Sequence, residues 1–191
     1  MHESGHAVAA LAIFDEAADI FVKSASDTEE PYSASLRFAV DLTKIYSGEI
    51  DPMKAIIVMA AGARAEAVGL GIVESTGFKG DLAKIKQLRQ SWERNSNEEY
   101  WRTFDWPAEA INEKLAQIPQ YQSKLAEIVA EMEVAYPRTT SLIRSHLDAI
   151  EMIAAEAQER LDAVGKEKLT ENLVLLKAAR VREIWEATRT S

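Results

Sequence analysis

The chain has 191 residues, 47% of them hydrophobic, which is enough for one domain with a real core. Its 31 acidic and 22 basic residues leave a formal net charge of −9, which repels a phosphate backbone, and no basic stripe interleaved with aromatics offsets it, so nucleic acid is not an expected partner. There is no cysteine, hence no disulfide framework and no thiolate metal site, and the longest apolar runs, His6 to Phe14 and Ala55 to Ala63, fall far short of the roughly 20 residues of a membrane span. With no signal-peptide pattern either, a cytoplasmic protein is the simplest reading.

His2-Glu3-Ser4-Gly5-His6 opens the chain. A helix places residues four apart on one face, so His2 and His6 form a pair able to chelate zinc, with Glu3 beside the ion as a general base for a metal-activated water. Only three histidines occur in the chain, which makes this spacing hard to attribute to chance. The following Ala7, Val8, Ala9, Ala10, Leu11 and Ala12 are good helix formers with mostly small side chains, predicting a helix that packs closely. If Met1 is the true terminus, its α-amine is a competing ligand, and capture by an amine and two histidines is the trivial alternative.

Beyond the motif the period changes. Asp19 to Ser24, with Ile20 and Val22 on one face, and Ser33 to Val40, where Ala34, Leu36, Phe38 and Val40 alternate with polar or small residues, predict two strands of a small antiparallel ribbon. Asp51-Pro52 predicts an N-cap and first helical position for a helix from Met53 to Gly69. Its small middle, Ala60-Ala61-Gly62-Ala63, invites close approach to the motif helix. Gly69, Gly71, Gly77 and Gly80 punctuate a loop ending at Asp81, where helical spacing resumes through Leu82, Ile85, Leu88 and Trp92. Further helices are expected over Ile111 to Ile118, Leu125 to Tyr136 and, as one long element, Ile143 to Val164. A last helix is expected to use Leu169, Leu173, Leu176, Val181, Ile184 and Trp185.

A catalytic zinc takes three protein ligands and keeps one open position. His146 sits well outside the motif region and reads as a surface or helix-terminal histidine. The metzincin extension is absent, since Ala9 and Ala12 stand where glycine and histidine would be required. Two carboxylates remain. Asp81 at the end of the glycine-rich loop is by itself an N-cap residue, and Glu66 on the small-residue helix would by itself lie on a solvated face.

His2-Glu3-Ser4-Gly5-His6-Ala7, Ala61-Gly62-Ala63-Arg64-Ala65-Glu66 and Ser75-Thr76-Gly77-Phe78-Lys79-Gly80-Asp81-Leu82, in that order, resemble the peptidase domain of FtsH-type zinc metallopeptidases. Leu142 to Ile150 and Lys168-Leu169-Thr170 look like that domain's C-terminal helices. The resemblance implies that His2, His6 and Asp81 hold zinc, that Glu3 is the general base, and that Glu66 orients a ligand histidine. It also implies a mainly helical, zincin-like fold with a small β element whose exposed strand edge, in Ser33 to Val40 or Asp19 to Ser24, holds an extended peptide. FtsH-type proteins carry transmembrane segments and an ATPase module, and this chain has neither a span nor a Gly-x-x-x-x-Gly-Lys-Ser/Thr loop.

The expected protein is therefore a mainly α, helical zincin-like domain spanning residues 1–191. Residues 1–100 form its metal-site core and 101–191 a helical C-terminal part with bundle character. Its expected activity is Zn²⁺-dependent, ATP-independent hydrolysis of unfolded proteins or peptides by the isolated chain. Expected partners are the peptide substrate, a second copy in a homo-oligomer, or a separate ATPase acting in trans. The competing expectation is a non-catalytic helical module for protein interaction or oligomerisation. Tyr32 and Tyr46 are conceivable oxyanion partners.

Overall fold

The computed structural model describes residues 1–24, 32–36, 49–71, 80–81, 83–85, 137–164 and 173–189. The architecture is mainly helical with a small antiparallel sheet. The glycine-rich stretch 72–79, the spacing through Leu88 and Trp92, the helices expected over Ile111 to Ile118 and Leu125 to Tyr136, and Lys168-Leu169-Thr170 lie outside the described residues. No helix among the described residues is long and apolar enough to cross a membrane.

Helix α1 (His2–Phe14) carries the histidine pair, and every residue from Ser4 to Leu11 is buried. A helix without a polar face must be covered on all sides, and here α2, the sheet and the C-terminal helices cover it. It ends at Asp15, whose φ of 54° is left-handed and whose backbone N–H reaches back to the Leu11 carbonyl at 3.0 Å. Aspartate is one of the few non-glycine residues that tolerate this conformation. Arg182 fixes it, donating from Nη1 to Asp15 Oδ1 and from Nη2 to its carbonyl oxygen, both at 2.6 Å.

Helix α2 (Pro52–Gly69) starts as expected. Asp51 is the N-cap, its Oδ1 accepting from the Met53 N–H at 2.9 Å, and Pro52 fills the first position, where no N–H is needed. From Ala55 to Glu66 every residue is buried. The approach to α1 is as close as backbones allow: a Cβ added to Gly5 would lie 2.5 Å from the Ala61 carbonyl oxygen and 2.6 Å from the Ala65 Cβ. Small residues on both helices therefore set the distance at which side chains of α1 meet the surface of α2.

The sheet has the order β2-β1-β3. Strand β1 (Ile20–Ser24) pairs antiparallel with β2 (Tyr32–Leu36), Ile20 opposite Leu36 and Ser24 opposite Tyr32, forming the expected ribbon as far as Leu36, while residues 37–40 of the expected second strand lie outside the described residues. On its other side it pairs antiparallel with β3 (Leu173–Leu176), Ile20 opposite Leu176 and Phe21 opposite Val174. The irregularity beside Ile20 leaves Leu175 as the extra residue, so Leu175 and Leu176 are both buried. Strand β3 corrects the expectation that Leu173 and Leu176 belong to the last helix. Four consecutive apolar residues carry no period, and the open flank of β1 decides their conformation.

The long helix expected through Ile143 is in fact two, α3 (Pro137–Ser145) and α4 (Leu147–Val164). At the break the Ser145 hydroxyl donates to the Ser141 carbonyl at 2.9 Å, and the His146 N–H turns to the Ile143 carbonyl three residues back at 3.2 Å. Such a hydroxyl bond bends helices. Helix α5 (Ala178–Arg189) follows β3, its first N–H capped across the chain by Asp19 Oδ1 at 2.8 Å. Ile150, Ile153 and Leu161 of α4 and Val181, Ile184 and Trp185 of α5 share one core cluster with Ala7 to Leu11 of α1. The described C-terminal elements thus pack directly on the helix that carries the motif.

Candidate metal centre

Three side chains converge between α1 and α2. His2 and His6 project from α1 one turn apart, ring centroids 4.8 Å from each other and planes at 76°. Asp81 reaches them from the helical residues that follow the glycine-rich stretch. Its Oδ2 lies 2.9 Å from Nε2 of His2 and 2.9 Å from Nε2 of His6, and the two Nε2 atoms are 3.1 Å apart. Among the described residues this is the one group of three or more His, Cys, Asp or Glu side chains placed to hold a metal ion.

The far side of each ring is tied to α2. His6 Nδ1 donates to the Val58 carbonyl at 2.6 Å, and since a carbonyl can only accept, that nitrogen carries the proton. His2 Nδ1 faces Glu66 Oε2 at 3.1 Å and donates in the same sense. Held this way, both rings turn Nε2 toward the Asp81 carboxylate. With Nδ1 of each ring spent on α2, what the two Nε2 atoms and the carboxylate share is a place for a proton or a metal cation.

In the metal-free fold that cation is a proton. Burial by itself would push the His2 imidazolium down, but the hydrogen bonds and charges of Asp81 and Glu66 outweigh it and the group is pushed up to about 10. Burial would likewise raise the Asp81 carboxyl, yet the adjoining His6 and His2 rings hold it well below the usual carboxylate range. Lys84 Nζ stands 3.8 Å from Asp81 Oδ1, the oxygen that the rings do not use.

The donor set suits zinc. Two imidazole nitrogens and one carboxylate oxygen are its usual ligands where cysteine is lacking, and three protein ligands leave one coordination position open. Separations of 2.9 to 3.1 Å are close to the roughly 3.3 Å edge of a tetrahedron with bonds of about 2.0–2.1 Å. Each ring also has the orienting partner on its second nitrogen that metal-bound histidines require.

Glu3 follows His2 in the first turn of α1, half-buried, with no hydrogen bond or ion pair among the described residues. Its charge acts on the neighbouring Met1 α-amine. Glu66, expected on a solvated face from its own sequence context, is buried instead, because α1 covers that side of α2. His146 stands at the joint of α3 and α4 with its ring 6.1 Å from that of Trp185, apart from the cluster. Tyr46 and the Tyr32 side chain lie outside the described residues. Asp19 to Ser24 is corrected as a docking edge, since β1 is the central strand and β2 and β3 occupy both its flanks.

Sequence reasoning missed two contributors. The Val58 carbonyl is a backbone group and has no side-chain signature. Gly62 faces the rings directly, and its signal was available: an isolated glycine inside a helical run has a packing or functional reason. Neither a scan of protein-family models nor a search of curated proteins finds a match to this chain.

Proposed function

We propose that this chain is a zincin-like, zinc-dependent metallopeptidase, holding Zn²⁺ through His2, His6 and Asp81 and hydrolysing peptide bonds of unfolded or peptide substrates without ATP. The observation that carries the reading is the convergence of two Nε2 lone pairs on one carboxylate oxygen, each ring being fixed from behind by Glu66 or the Val58 carbonyl. The resemblance of the motif-bearing segments to FtsH-type peptidase domains supports the same assignment.

When bound, zinc supplies Lewis acidity toward a carbonyl and toward water. Glu3 would accept the proton of the attacking water and deliver it to the departing amine, a role suited to a half-buried carboxylate one residue from a ligand histidine. Glu66 and Val58 keep the imidazoles in the tautomer and orientation that ligation needs. The β2 edge, with β1 on one flank only among the described residues, is the place where an extended peptide adds by main-chain hydrogen bonds.

Metal analysis combined with a peptide-library cleavage assay tests the proposal. Wild type is expected to contain one zinc per chain and to cleave, whereas Glu3→Gln keeps the zinc and loses cleavage. Zinc without cleavage in wild type would favour a non-catalytic interaction module. No zinc would reduce the histidine pair to a packing device.

A further inference from the structure

We infer that Gly62 is the positioning residue that admits the metal: by presenting no side chain to the two imidazoles, it leaves free the space beside their Nε2 atoms. The inference rests on the zinc reading above. Val58, Gly62 and Glu66 are spaced by four residues on α2, so they form one row facing α1. The outer two hold the rings, His6 through the Val58 carbonyl and His2 through Glu66. Gly62 lies between them. A Cβ built there falls 2.7 Å from Cδ2 and Nε2 of His2 and closer still to Nε2 of His6, where ordinary contact begins near 3.4 Å.

The rings cannot withdraw without releasing the very contacts that orient them. The backbone offers no other reason for glycine, because Gly62 is an ordinary helical residue inside α2, where alanine is the better helix former. The other glycines of these helices differ in what they face. A Cβ on Gly5 meets the Ala61 backbone, so that glycine sets the helix spacing, whereas a Cβ on Gly69 meets chiefly Cε of Met1, the mobile end of a long side chain. Of the three, only Gly62 looks onto the ligand atoms.

The test compares wild type, Gly62→Ala and Gly69→Ala for zinc affinity by chelator competition and for the visible d–d spectrum of the cobalt-substituted protein. Gly69→Ala is expected to match wild type. Gly62→Ala is expected to keep its helical circular dichroism yet lose at least about tenfold in zinc affinity, with an altered cobalt spectrum. A smaller loss, or an unchanged cobalt spectrum, overturns the inference while leaving the zinc reading intact. Failure of wild type itself to bind either ion overturns the zinc reading and this inference with it. Should Gly62→Ala not fold, the same substitution is made in a His2→Ala, His6→Ala background. Folding there shows that the methyl collides with the rings, and failure there assigns Gly62 to helix packing and overturns the inference.

Discussion

Glu66 and Glu156 are both helix carboxylates facing positively charged partners, yet they stand in opposite surroundings. Glu66 is buried between α1 and α2 and meets one ring nitrogen of His2 at 3.1 Å. Glu156 lies near the surface and receives Arg160 Nη2 at 2.6 Å and Arg180 Nε at 2.9 Å, joining α4 to α5. Water competes for each bond of the exposed cluster and screens its charges. The buried one has no solvent alternative, so what it fixes is the direction in which an imidazole points. Burial is thus the guide to what each carboxylate does here.

Substitutions can break that contrast, beginning with the ligand itself. Asp81→Ala removes the oxygen on which both rings converge, and its zinc affinity should fall by more than the roughly 100-fold typical of losing an outer partner of a metal site. Equilibrium dialysis against a chelator measures it. Glu66→Ala comes next, with an expected loss of about 10- to 100-fold in zinc affinity while the ion still binds. An unchanged affinity in that variant would erase the distinction between the two carboxylates.

Acidity sharpens the comparison further. In the metal-free fold His2 is raised from 6.5 to about 10, so the stabilisation its charge provides is complete below 6.5 and disappears as the pH climbs through about 10. Zinc has the opposite dependence, because the ion must displace that proton. Its apparent affinity is expected to rise about tenfold per pH unit across the neutral range, with one proton released per ion, read from calorimetry in buffers of different ionisation enthalpy. The smallest effect belongs to Glu156→Ala. Its zinc affinity should equal that of wild type and its melting temperature should stay within about 3 °C.

The parts of the fold that were legible in the sequence are those fixed by local chemistry. Asp51 and Pro52 announce the start of α2 through an unpaired N–H and a preset φ, and alternation around Ile20 to Val22 and Ala34 to Leu36 announces the ribbon. The histidine pair is legible because helical spacing places both on one face. What local chemistry leaves open is settled by partners distant in the chain. Leu173 to Leu176 has no period and becomes a strand because β1 has a free flank. His146 interrupts a continuous apolar stripe because Ser145 bonds backward. Asp81 read by itself is a helix cap, and nothing near it in sequence reveals that two rings 75 and 79 residues earlier lie within 2.9 Å. Gly62 among alanines was legible as smallness, but the identity of what it faces required the packing of α1.

The left-handed Asp15 that ends the motif helix is gripped by Arg182, and the strand following it is completed by β3. Both supports are encoded about 160 residues after the helix they steady. During synthesis the histidines emerge long before Arg182 and β3 and wait for both before their scaffold closes. A chain that stops short of β3 and Arg182 therefore carries the ligands without the frame that aligns them, and assembly of the centre doubles as a check that translation reached these elements.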